Sequence, residues 1–298
     1  MEAIRDKGMR HCAVTDHGVM YGAVDFYSAA KKLGVHPVIG CECYICPDMD
    51  DRRALARDYN HLILLCENET GYKNLTHLVS DAWTRGFYYR PRIDHRLLEG
   101  RTEGLICLSA CLQGEVPQAL LNGQDETAHR AVERYVRLFG RENFFIEIQD
   151  HGIAEERTVL PQLVRLAREM DVPIVATNDV HYLRQEDAEA QEALMCIQTG
   201  KTVNDEDTNR MRMQTRELYL KTPQEMEELF PQWPEALERT VEIAERCNIE
   251  FDFKTRHLPA YPLPENITAP ELLRRECQRG LAERYPDDDG TAQKRLDY

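Results

Sequence analysis

The chain has 298 residues, 42% of them apolar, enough to bury one large core or two smaller ones. Its 52 acidic and 37 basic residues give a formal charge of -15, which excludes loose, sequence-independent adhesion to DNA or to anionic lipid, so any nucleic-acid contact has to be local or carried by bound metal. No apolar run reaches the roughly 18 residues of a membrane span, and residues 1–30 lack a basic stretch followed by an apolar one. A cytoplasmic chain with no membrane partner is expected.

Ten cysteines, spread over a chain of this size with no export signal, read as reduced thiols rather than as a disulfide framework. Cys41, Cys43 and Cys46 are close enough in sequence to suggest zinc. Cys41 and Cys43, however, alternate with Glu42 and Tyr44 as on a strand, and no second cysteine pair completes a zinc pattern, so they are expected to fill one face as small hydrophobes.

In chain order, apolar runs fall at 12–15, 37–45, 61–66, 104–109, 143–149 and 173–177. Helical stretches between them give the alternation of an α/β sheet or barrel. The link between the second and third runs is too polar and aperiodic for a crossover helix, which predicts a long hairpin there. From 126 to 139, Ala128, Ala131, Val132, Tyr135, Val136 and Phe139 follow the helical period, with Gly140 placed to end it. Val159, Leu163, Leu166 and Met170 repeat the pattern. Beyond about 199 the strand-like runs stop, predicting a barrel domain over 1–199 and a mainly helical extension over 200–298. Within the extension, Thr222, Pro223 and Glu225 supply a cap, a first-turn proline and a capping-box partner.

Functional groups in such folds gather at the carboxyl ends of strands. After the first run come Thr15, Asp16, His17 and Gly18. Glu42 lies within the second run, His61 opens the third, Cys111 follows the fourth, and Asn178, Asp179 and His181 follow the last. Singly, each has an ordinary reading: His17 or His61 as hydrogen-bonded structural histidines, Asp16 as a helix cap, Cys111 as a core residue. Together these side-chain types at one barrel mouth point to a multinuclear metal site. A second candidate is the stretch from 84 to 96, where Arg85, Arg90, Arg92, His95 and Arg96 interleave with Phe87, Tyr88 and Tyr89, a pattern that holds phosphates and stacks bases.

The motifs Ala13-Val14-Thr15-Asp16-His17-Gly18, Ile39-Gly40-Cys41-Glu42, the run from His61 followed by Asn68-Glu69-Thr70-Gly71-Tyr72, Tyr88-Tyr89-Arg90-Pro91-Arg92-Ile93-Asp94, Leu108-Ser109-Ala110-Cys111-Leu112, and Ala176-Thr177-Asn178-Asp179-Val180-His181-Tyr182 occur in that order. Together they resemble the N-terminal polymerase-and-histidinol-phosphatase (PHP) domain of bacterial DNA polymerase III alpha subunits. The resemblance implies a distorted (β/α)7 barrel holding up to three divalent ions (zinc, manganese or iron) and 3'-5' exonucleolytic proofreading. It casts His17, Glu42, His61, Cys111, Asp179 and His181 as metal ligands with Asp16 beside them, and Asp16 and Asp179 in catalytic roles. It also implies primer-template DNA as a partner of the full-length polymerase, with a sliding clamp and a proofreading subunit. The family's first strand carries a His-x-His pair, and this sequence starts after it, so a barrel lacking its first strand is expected, with the polymerase palm lying beyond the other end. Two alternatives stay open: a non-catalytic module bracing the polymerase, and a small-molecule phosphatase of the histidinol-phosphate kind.

Overall fold

The computed structural model describes residues 1–53, 59–205, 212–256 and 258–298. Its strands are β1 (His11–Val14), β2 (His36–Cys46), β3 (Asn60–Cys66), β4 (Phe87–Tyr88), β5 (Arg90–Asp94), β6 (Leu105–Leu108), β7 (Phe144–Ile148) and β8 (Ile174–Ala176). The helices are α1 (Glu2–Asp6), α2 (Ala23–Leu33), α3 (Glu69–Thr84), α4 (His95–Leu98), α5 (Glu115–Leu121), α6 (Asp125–Phe139), α7 (Ala154–Glu169), α8 (Ala188–Thr199), α9 (Pro223–Leu229), α10 (Pro234–Arg246), α11 (Ala269–Arg284) and α12 (Thr291–Asp297).

The strands form a mixed sheet in the order β4-β5-β2-β3-β6-β7-β8, with β1 also paired to β2. It curls into a half-barrel with helices around its outer face. The long β2 organises it, pairing in parallel with β1 through His36–Ile39, antiparallel with β3 from Gly40 to Ile45, and in parallel with β5 from Tyr44 to Cys46. The β2–β3 hairpin is the one the polar link suggested. Six strands match the six apolar runs. The short β4 and β5 escaped notice because Arg92 and Asp94 are charged, yet both are buried and hydrogen-bonded.

Strand alternation sorts the side chains into two layers. Ile39, Cys41, Cys43 and Ile45 of β2 join Leu62 and Leu64 of β3, Cys107 and Phe144 in the outer core, under the amphipathic faces of the helices. The cysteines there are free and act as small hydrophobes. The other face puts Val38, Ile63, Leu65, Ile106, Leu108, Phe145 and Val175 inside the curl. Helix α10 seals this inner layer: Ile243, Ala244 and Cys247 enter the same cluster, and α10 packs against both β8 and β1. Its C-terminal end is pinned where Cys247 O accepts from His36 Nε2 at 2.7 Å and Arg246 pairs with Glu67 at 3.0 Å.

By compactness the chain divides into Met1–Phe251 and Asp252–Tyr298. The boundary expected after residue 199 therefore falls inside the first unit. Without strands, the segment that follows looked like a separate extension, yet it buries Leu218, Leu220, Phe230, Ala236 and Ile243. Thr222 and Glu225 form the expected capping box ahead of α9. The second unit holds α11, begun by a Thr268–Glu271 capping box, and α12, joined to it by a 2.6 Å Arg274–Asp297 ion pair.

If α10 is the seal of the inner layer, Ile243→Ala will lower unfolding stability by about 2–5 kcal/mol in denaturant titrations. Val241→Ala on the exposed side of the same helix will change it by less than about 0.5 kcal/mol.

Candidate metal centre

Five short segments converge at one end of the half-barrel. The loop after β1 is fastened to β2 by backbone hydrogen bonds, Glu42 N donating to Asp16 O at 3.0 Å and Gly18 N to Glu42 O at 2.8 Å. Gly18 has φ +68, and a Cβ there would run into Pro91 and the Tyr44 ring, so the tight turn that presents His17 needs glycine. Glu42 shares the inner face of the sheet with its register partner Ile63. His61 reaches the same end because β3 runs antiparallel to both neighbours, so the start of β3 lies beside the ends of β2 and β6. Ala110, at φ +65, turns the chain after β6 so that Cys111 faces His61. The segment after β8 carries Asp179, at φ +43, and His181.

Glu42 Oε1 lies 2.7 Å from His61 Nδ1 and 3.3 Å from His17 Nε2, and Cys111 Sγ is 3.5 Å from His61 Nδ1. The His181 ring centroid is 5.8 Å from that of His17. Among the described residues, Glu42, His61 and Cys111 form the one group whose ligand atoms all lie within 4.8 Å of one another. Glu42 is buried, and despite the nearness of His61 its Oε1 has no aligned hydrogen-bond donor. A buried carboxylate oxygen without a donor, facing an imidazole nitrogen and a thiol, is the donor set of a divalent metal site. The residues present fit such an ion.

Burial pushes the Glu42 carboxyl up, but the contact and charge of His61, with His17 and His181 behind it, outweigh burial and hold it below its usual value. Burial raises the Cys111 thiol, and the carboxylates of Glu42 and Asp179 raise it further, so loading a cation has to displace the thiol proton. Asp179 is also raised, by burial first and then by Glu42, against the opposing pull of His181. Thus five of the expected residues, His17, Glu42, His61, Cys111 and His181, stand in one group, with Asp179 beside it. Asp16 does not join them; it is exposed, with Oδ2 turned toward Gly22.

Behind the group lies a hydrogen-bonded network centred on His151 and Asn178. The buried His151 bonds Glu156 Oε1 through Nδ1 at 2.7 Å and Asn178 O through Nε2 at 2.9 Å. Asn178 Nδ2 donates to Tyr219 O at 2.6 Å, Lys221 Nζ donates to Asn178 Oδ1 at 3.2 Å, and His181 N donates to Leu218 O at 2.9 Å. The segment from 215 to 221 therefore straps down the loop carrying Asp179 and His181. Glu147 points inward from β7, accepting from Gln149 Nε2 at 3.0 Å and from Thr177 Oγ1. Its Oε2 is buried without a donor, and burial lifts its pKa to about 7. His151 was within reach of the sequence, since it follows the fifth apolar run as the other candidates follow theirs. The signal for Glu147 was a charge in the middle of a wholly apolar strand.

In the cationic-aromatic stretch, Arg85 and Tyr89 are exposed and the Arg90 guanidinium sits 5.5 Å above the Tyr44 ring. Arg92 is different. Only 2% exposed, it donates to the carbonyls of Gly86, Met49 and Asp51 and stacks under Tyr88, so it holds the β5 turn and offers no free guanidinium to a nucleic acid.

If Asn178 fixes the Asp179–His181 loop, Asn178→Ala will weaken retention of a bound divalent ion by about 10–100-fold in chelator competition, with far-UV ellipticity unchanged.

Comparison with known proteins adds a family and several relatives. The family model described as PHP domain matches residues 1–151. The chain is 44% identical over 295 residues to a DNA polymerase III subunit alpha of Treponema pallidum, covering 98% of this chain and 25% of that protein. It is 45% identical over 282 residues to that of Borreliella burgdorferi (93% and 24%), and 42% identical over 285 residues to that of Thermus aquaticus (92% and 23%). The chain thus spans about a quarter of the length of these relatives. A solved structure of a candidate metal-dependent phosphoesterase from Bifidobacterium adolescentis is 14% identical, with a TM-score of 0.38 over 60% of this chain and 79% of the other.

Proposed function

The chain belongs to the PHP domain family, and on that premise we propose that it is the metal-dependent phosphoesterase module of a bacterial DNA polymerase III alpha subunit, removing mispaired nucleotides from the 3' ends of primers. The observation that carries this reading is the convergence of Glu42, His61 and Cys111 on one point, with no aligned hydrogen-bond donor on Glu42 Oε1. Zinc, manganese or iron fits the nitrogen, oxygen and sulfur donors, and the further pair His17 and His181, with Asp179, leaves room for a second or third ion. When bound, such ions lower the pKa of a water and neutralise charge on the phosphodiester and on the departing 3' oxygen.

The protein's own groups do the rest. Glu42, buried and kept ionised by its three histidines, supplies fixed negative charge where the cation has to sit. His17, whose side chain is 47% exposed, and His181, at 24%, line the open side of the group, where a phosphate enters. Asp179 is cast as the carboxylate that orients the attacking water; Asp16, turned toward Gly22, takes no part in it. The strap from 215 to 221 keeps this loop from swinging away when the phosphate arrives. Primer-template DNA, a sliding clamp and a separate proofreading subunit are the partners this reading assigns to the full-length polymerase, acting in the cytoplasm. Among the described residues no helix is long and apolar enough to cross a membrane.

Incubation of the chain with manganese or zinc and a mismatched primer-template tests the reading. Release of 3'-terminal nucleotides, abolished by chelation and reduced at least about 100-fold in His61→Ala, is expected. Hydrolysis of phosphomonoesters with no action on DNA, or no loss in the variant, overturns it.

A further inference from the structure

A group of aromatic side chains beside the metal-ligand group plays no part in the chemistry above and none in either core. Trp83, at the end of α3, is 40% exposed, and Phe87, at the start of β4, is 47% exposed. Their rings lie within 18° of parallel with centroids 5.3 Å apart, forming an offset stack that stands in solvent. Large apolar rings are costly to leave in water, and a pair held this way has a free π face to offer.

The stack is held in place. The Trp83 indole Nε1 donates a 2.8 Å hydrogen bond to the carbonyl of Gly18, the residue next to His17. Gly18 is itself fixed by its backbone bond to Glu42. The turn between Trp83 and Phe87 is clamped by Arg52, whose guanidinium donates to the carbonyls of Arg85 and Phe87. The stack is therefore coupled through a few covalent and hydrogen bonds to the loop that presents a candidate ligand.

The same rings continue inward. Arg90 covers the Tyr44 ring, the Tyr44 ring meets the His61 ring edge-on at 5.4 Å, and Tyr59 lies parallel to His61 at 6.3 Å. Arg85, paired with Asp81 at 3.7 Å but exposed, and Arg90, over the Tyr44 ring, place guanidinium groups along this edge of a chain whose net charge is -15. Flat rings rimmed by guanidinium groups, leading toward a phosphoesterase centre, match a strand of unpaired nucleotides: bases for the rings and phosphates for the arginines.

We propose that the Trp83–Phe87 stack is a platform on which the unpaired bases of a single-stranded DNA end lie, with Arg85 and Arg90 against its phosphates, so that the terminal phosphodiester reaches the metal centre. This rests on the reading that DNA ends are the substrate. It adds a source of selectivity: a paired terminus has its base faces occupied by the duplex, whereas a frayed, mispaired terminus has faces free to stack. It also explains how an acidic chain takes hold of DNA without a broad basic surface, since stacking needs no long-range attraction.

The chain has two tryptophans, Trp83 and Trp233, so Trp233→Phe leaves Trp83 as the sole reporter. Titrating this variant of the full 298-residue chain with oligothymidylate about twelve nucleotides long, in chelator, will quench Trp83 emission saturably, and blunt duplex of the same length will not. Phe87→Ala, and Phe87→Leu, which keeps the bulk but removes the π face, will each weaken oligothymidylate binding about tenfold, with far-UV ellipticity unchanged. Absence of quenching, equal quenching by duplex, or unchanged binding in Phe87→Leu overturns the proposal. Because binding is read without metal or turnover, a chain that quenches but hydrolyses nothing refutes the phosphoesterase reading and leaves the platform standing.

Discussion

One buried carboxylate organises this protein. Glu42 sits on the inner face of a curled sheet, where an unpaired charge costs several kcal/mol, and what faces it is imidazole and thiol rather than a lysine or arginine. A guanidinium would have neutralised the charge for good. Imidazole and thiol instead carry nitrogen and sulfur donors that a cation can take by displacing their protons, so the site can accept a metal. The fastening of the His17 loop to β2, the left-handed turn before Cys111 and the reversed direction of β3 are local solutions to one requirement, that nitrogen, sulfur and oxygen meet at one point.

Holding the point fixed takes more of the chain than the half-barrel itself. The inner layer at the opposite end of the strands is apolar and is completed by α10, far along the sequence from the strands it covers. The segment just before α9 and α10 straps the Asp179–His181 loop through Asn178, Lys221 and Leu218. Lys221 is almost fully buried, and burial lowers its pKa while Glu217 pulls the other way. A buried lysine is kept only where it has partners, and here one of them is the side chain that positions the loop. Stability and site geometry are thus supplied by the same stretch of chain, so damage to either is expected to reach the other.

The sequence disclosed the strands and the chemistry with unequal clarity, and the difference is physical. Six strands were legible because each is a run of mostly apolar residues, largely buried on both faces in all but the half-buried β1, and the metal-type side chains were legible because they stand at the ends of those runs. The pair β4 and β5 was hidden because Arg92 and Asp94 are buried through hydrogen bonds to carbonyls and amides, which no hydropathy pattern records. For the same reason Arg92 looked like a nucleic-acid contact when its donors are already spent. Asp16 has the right residue type and neighbour but points away from the group, since on adjacent residues of an extended loop side chains face opposite ways. The packing of 215–251 onto the barrel and the His151–Asn178 link are long-range contacts, and only three-dimensional proximity reveals them.

The whole arrangement turns on Glu42, His61 and Cys111 sharing one metal ion. Anomalous X-ray diffraction from crystals of the chain grown with zinc tests it most directly. An anomalous peak bonded to Glu42 oxygen, His61 nitrogen and Cys111 sulfur at about 2.0–2.3 Å is expected. An ordered site with no peak between these three side chains, or zinc held only elsewhere on the chain, contradicts it.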